Sequence, residues 1–159
     1  MDGMPKLTEH HERIQRLSGQ WVGSETLSPS PWSAGGKRSG RYDNRTICGG
    51  FFVAGDYVQL DLDGKIAYEG HSVFGVDPQT HEVSWYWVDS MGMPSLPSLG
   101  RWDGETLTLL GKKPDGSVHG RYTWAFTEGG KRLRFKLENT QDGGKTWATF
   151  MDGNYLKTI

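Results

Sequence analysis

Trp85, Tyr86, Trp87, Val88 and Asp89 are consecutive, so on an extended chain Trp85, Trp87 and Asp89 share one face. Two indoles and a carboxylate on one face suit a pocket for an aromatic or amphipathic small molecule. In the competing reading both indoles fill a core and Asp89 caps the turn that follows. A carboxylate on an aromatic face must find hydrogen bonds or sit at a solvent-filled mouth. Glu69 and His71 also share a strand face, and with Asp89 they would suit acid–base chemistry if that face pointed inward.

Other candidate chemistry is thin. The 5 histidines are scattered, and no pair has the spacing of a zinc site, so no metal is expected. The chain has no Gly-x-Ser-x-Gly elbow, phosphate loop or dinucleotide fingerprint. No residue is assigned as catalytic, and no cofactor is expected. Cys48 is the single cysteine, which excludes an internal disulfide, and beside Gly49-Gly50 it reads as buried and inert. Thr140 to Trp147 resembles an Asp-box turn, in which Asp142 accepts backbone hydrogen bonds and Trp147 packs beneath.

The elements that position these residues follow from composition and turn chemistry. Gly (23) and Trp (7) are both frequent in the 159 residues, a balance that favours many turns and an all-β fold. One domain over residues 1–159 is expected. Leu7, Ile14 and Leu17 recur at helical spacing between Pro5 and Gly19, which predicts one helix over about 6–18. Beyond it, stretches rich in Val, Tyr, Phe, Trp and Thr alternate with turn signals such as Asp63-Gly64, Asp103-Gly104 and Gly129-Gly130. About ten strands result, beginning near Gln20, Lys37, Phe51, Lys65, Glu82, Leu96, Glu105, Val118, Lys131 and Lys145. Sequential hairpins of that number leave exposed edges unless the meander closes. An up-and-down antiparallel β-barrel over about 20–157, with the helix at or over one end, is therefore expected.

Register decides which side chains face inward, since a one-residue slip reverses every side chain. Pairing Thr127 with Arg132 puts Tyr122, Trp124 and Phe126 on one face with Leu133, Phe135 and Leu137, and turns Arg121, Arg132, Arg134, Lys136 and Glu138 outward. Pairing Asp77 with Thr80 sets Phe74, Ser72, Gly70 and Tyr68 opposite Val83, Trp85, Trp87 and Asp89, with Gly70 leaving room for an indole and Glu69 and His71 outside. The candidate ligand-binding set is thus Tyr68, Trp85, Trp87, Asp89, Tyr122 and Trp124. The strand from Trp147 to Tyr155 is mixed on both faces and takes no orientation. The loop from Ser90 to Pro97 combines glycine with Met91, Met93 and Leu96, as a lid or a rim-packed loop would.

The helix followed by Leu17-Ser18-Gly19-Gln20-Trp21-Val22-Gly23 carries the Gly-x-Trp-x-Gly entry seen at the first strand of lipocalin-like barrels. Together with Ile47-Cys48-Gly49-Gly50-Phe51-Phe52, Phe74-Gly75-Val76-Asp77, Trp87-Val88-Asp89 and Leu109-Leu110-Gly111, the order resembles the bacterial domain-of-unknown-function family 1579 over nearly the whole chain. The resemblance implies a calycin-type barrel, a group that includes carriers of apolar ligands, haem proteins of the nitrobindin type and a few enzymes. It implies no activity. Nitrobindin-like proteins take a proximal histidine from the end of the chain, and none follows His119 here, so haem is not expected.

A net charge of −1 with interspersed signs gives no footprint for nucleic acid or an anionic membrane surface. Lys6, Glu9, His10, His11, Glu12 and Arg13 interrupt any apolar leader, so the expected location is cytoplasmic. The favoured function is a barrel holding an apolar or aromatic small molecule. The alternatives are an enzyme using interior Asp and Tyr groups, or a filled barrel acting as an interaction or structural protein. Oligomeric state stays open.

Overall fold

A computed structural model describes residues 3–31 and 33–159. Helix α1 (Glu9–Ile14) is shorter than the expected 6–18. Thr8 is its N-cap: the hydroxyl accepts from the His10 amide, and the His11 ring accepts the Thr8 N–H at 3.0 Å. That reciprocal cap starts the helix four residues after Pro5. A 3₁₀ turn (Gln15–Leu17) ends it, and Gly19 opens the first strand instead of closing the helix. Ile14 and Leu17 are fully buried at one end of the barrel. The Leu17 carbonyl there accepts the Trp21 indole N–H at 3.1 Å and the Asn44 amide at 2.8 Å, which ties the helical segment to the wall.

Ten strands follow: β1 (Gly19–Leu27), β2 (Gly36–Ile47), β3 (Phe52–Leu60), β4 (Ile66–Val76), β5 (Val83–Asp89), β6 (Ser98–Asp103), β7 (Thr106–Lys112), β8 (Val118–Thr127), β9 (Arg132–Asn139) and β10 (Ala148–Lys157). All neighbours are antiparallel, and β1 pairs with β10 to close an up-and-down barrel, so no edge is left at either end of the meander. Pairing is uneven. Strands β5 and β6 share only three partners, Val83 with Gly100, Ser84 with Leu99 and Trp85 with Ser98, whereas β2 and β3 share nine.

Thr127 pairs with Arg132, and Tyr122, Trp124, Phe126, Leu133, Phe135 and Leu137 contribute to the interior. Outside, Arg121 makes a two-pronged contact with Glu138 at 2.8 and 3.0 Å, which holds that carboxyl below its ordinary range. The β4–β5 hairpin differs from expectation by two residues: Phe74 faces Trp85, Ser72 faces Trp87 and Gly70 faces Asp89. The cause is the turn. Asp77 accepts the Gln79 and Thr80 amides at 2.8 Å each, its own N–H donates to Glu82, and His81 takes a positive φ of 62°, so Thr80 and His81 belong to the loop. An even shift keeps the faces, so His71 points outward to Asp56 at 2.7 Å.

The strand that sequence left unoriented is resolved by a bulge. Register shifts between Thr149 and Met151, and beyond it Met151 and Tyr155 are buried. Cys48 is corrected: it is exposed, at φ 52° in the turn before β3, because the Gly49-Gly50 pair makes a surface turn there. The Asp142 carboxylate accepts from the Thr146 amide at 2.9 Å and from the Thr140 and Thr146 hydroxyls at 2.8 and 2.6 Å, which pulls its pKa down to about 2. Trp147 lies 4.3 Å beneath the Arg121 guanidinium. Among the described residues no helix is long and apolar enough to cross a membrane.

Candidate functional site

The barrel encloses a cavity of about 620 Å³. It reaches from Leu17 beside the helical segment to Met91, Met93 and Ser95 of the 90–97 loop at the opposite end. Tyr68, Trp85, Trp87, Asp89, Tyr122 and Trp124 all border this space. Three strands bring them together: β4 and β5 supply the first four, and β8 supplies Tyr122 and Trp124 across the interior.

Aromatic rings in van der Waals reach of one another form this wall. Trp85 stands 5.3 Å from Trp87, 4.8 Å from Tyr122 and 5.1 Å from Trp124, the last two edge to face. Such pairs contribute about 0.5–1.5 kcal/mol each beyond area burial, which locks the ring positions. Gly70 matters here because a Cβ at that position would fall within the Trp87 ring. The Trp87 ring therefore occupies the space that any side chain at position 70 would take.

Asp89 is the polar focus of this wall. Its Oδ2 accepts the Tyr68 hydroxyl at 2.5 Å and the Trp87 indole N–H at 2.9 Å, while Oδ1 accepts the Met91 amide at 2.9 Å. Asp89 thus satisfies both sequence readings, as a turn cap and as a carboxylate facing the cavity. Burial and then the hydrogen bond to Asp89 push the Tyr68 hydroxyl well above its ordinary pKa, so it stays protonated as a donor. Glu69 and His71 lie on the outer face, away from Asp89, and no acid–base triad forms.

Sequence reasoning missed the polar cluster that β1, β3 and β10 build beside this wall. Glu25 is 1% exposed and takes hydrogen bonds from the Tyr57 hydroxyl at 2.7 and 2.8 Å, from the Gln59 amide at 3.0 Å, and from the Tyr155 hydroxyl. Tyr57 and Gln59 border the cavity in front of it. Burial raises the Glu25 pKa, and its three donors offset part of that rise. The signal was present: Trp21 points inward, and a period of two puts Gly23 and Glu25 on the same side. Among the described residues no group of three or more His, Cys, Asp or Glu is placed to hold a metal ion.

A closed ten-stranded meander with a helical segment over one end and an aromatic-lined cavity inside defines a lipocalin-like barrel protein. The chain belongs to the family described as "Protein of unknown function (DUF1579)", which matches over residues 6–157. Among solved structures it is similar to the crystal structure of Rv2717c from M. tuberculosis, with a TM-score of 0.72 and 14% identity, covering 97% of this chain and 100% of that one. Likeness at that identity establishes the shared fold. No curated protein matches the sequence significantly.

Proposed function

We propose that this protein binds a small apolar or aromatic molecule inside the barrel, in contact with Tyr68, Trp85, Trp87, Asp89, Tyr122 and Trp124. The observation that carries the reading is the aromatic-walled cavity of about 620 Å³, a size within the range of small-molecule pockets. It also weighs against the filled-barrel alternative. Acid–base catalysis is less favoured, because burial makes Tyr68 hold its proton harder and His71 faces away.

The test is titration with N-phenyl-1-naphthylamine, a neutral apolar fluorophore. Stoichiometric binding with quenching of tryptophan emission is expected, and Trp87→Ala should weaken it by roughly 3- to 10-fold, the value of one or two aromatic contacts. Absence of saturable binding would count against the reading. Native mass spectrometry of the purified protein would show a resident ligand directly.

A further inference from the structure

The interior is chemically lopsided. Two carboxyl groups belong to it, Asp89 on the cavity surface and Glu25 behind Tyr57 and Gln59, and no lysine borders the cavity. Among the described residues every hydrogen-bond partner of these two carboxyls is a neutral donor: hydroxyls, an indole, a side-chain amide and a backbone amide. Neutral donors spread a negative charge without cancelling it.

Arg38 is the one basic side chain on the cavity lining. It stands on β2 near the mouth, directly across from Glu25, yet among the described residues it makes no ion pair, and its Nη1 donates to the Lys37 carbonyl at 2.8 Å. Among the described residues neither Asp89 nor Glu25 is ion-paired, and Asp89, on β5, stands away from the β1–β2 pair that carries Arg38.

Around Asp89 the rings form a triangle. Tyr57, Tyr68 and Trp87 have centroids 6.1, 5.9 and 6.4 Å apart, and all three border the cavity. A group resting on that triangle lies within the distance of about 6 Å at which a cation is attracted to a ring face. Register supports the arrangement: Tyr57 pairs with Gly70 and Gly70 with Asp89, so the carboxylate and the tyrosine stand two strands apart on one rung.

We infer that the ligand class is an organic cation, a protonated amine or quaternary ammonium on an apolar or aromatic body, with its charge against Asp89 and the rings of Tyr57, Tyr68 and Trp87 and its body against Trp85 and Trp124. This rests on the binding function proposed above and narrows it. An ammonium group supplies the ion-pair partner that Asp89 lacks, and the desolvated rings contribute more attraction than they would in water. An anionic head at the same depth meets Asp89 with no cation beside it and is excluded, so a fatty-acid-like orientation would have to keep its carboxylate at Arg38.

Three probes of one shape separate these cases by calorimetric titration: 2-naphthylmethylamine, 2-naphthylmethanol and 2-naphthoate. The amine is expected to bind at least tenfold more tightly than the alcohol, with the carboxylate weakest. Asp89→Asn should bring the amine-to-alcohol ratio towards one, and Trp87→Phe, which keeps a ring, should retain most of it. Equal binding of amine and alcohol, or tightest binding by the carboxylate, overturns the cationic assignment while leaving the pocket in place. Failure of all three to bind, together with N-phenyl-1-naphthylamine, overturns the binding function and this inference with it.

Discussion

Glu25→Ala is expected to lower the unfolding free energy by about 2–4 kcal/mol, read as the shift of the urea midpoint at constant slope. The change removes the acceptor shared by Tyr57, Gln59 and Tyr155. Stranding buried donors costs about 1–3 kcal/mol each. Tyr57 and Gln59 border the cavity, where water can replace part of the loss, which keeps the expected sum below three full penalties. Glu25→Gln, which keeps an oxygen in place, should cost far less and should change the pH dependence. A carboxyl whose pKa is higher in the folded than in the unfolded chain contributes its stabilisation fully below the unfolded value of 4.5 and loses it as pH rises through the folded value. Wild type should therefore lose stability relative to Glu25→Gln as pH climbs from 4.5 upward. Taking the difference between the two proteins cancels Glu138, Asp142 and Asp152, whose lowered values act in the opposite, acid window. A pH-independent difference would show that burial does not raise the Glu25 pKa.

Gly23→Ala carries the other large effect. A Cβ at Gly23 would collide with the Asn154 carbonyl and lie 2.7 Å from the Tyr155 Cα, and these are backbone atoms that no rotamer change can move. Because Gly23 pairs with Tyr155 across the β1–β10 seam, the methyl group must push apart the two strands that close the barrel. The expected cost is about 3 kcal/mol, near the top of the overpacking range, or a melting temperature lower by roughly 6–12 °C. Ser24→Ala, at the exposed neighbouring position, should stay within about 0.5 kcal/mol and serves as the control. Equal melting of the two variants would mean that the seam yields freely. The close approach also gives a physical reason for the second glycine of the Gly-x-Trp-x-Gly entry.

The fold was legible because turn chemistry and strand alternation are local. Asp103-Gly104 and Gly129-Gly130 announce hairpins from adjacent residues, and the charges at Arg121, Arg134 and Glu138 mark an outer face without reference to the rest of the chain. The aromatic wall was legible for the same reason, since β4, β5 and β8 alternate cleanly. Register within the β4–β5 hairpin was not, because it depended on Asp77 drawing Thr80 and His81 into a longer loop. The Glu25 wall was hidden differently. A glutamate reads as surface on its own, and its partners come from β3 and β10, up to 130 residues away in sequence, so only closure reveals that four polar groups satisfy one another.

The short β5–β6 pairing has a kinetic meaning. Past Trp85 and Ser98 these two strands exchange no further ladder contacts, and β5 continues through Trp87 to Asp89 beside the 90–97 loop. Local opening follows the fewest cooperative bonds, so this seam separates at a free energy well below that of global unfolding, while the nine-partner junction of β2 with β3 stays shut. Amides along it should exchange with solvent by a local route, insensitive to mild denaturant. The rupture would expose Trp87 and Asp89 first, so a molecule could exchange with the interior on the time scale of that one seam, with the rest of the barrel intact.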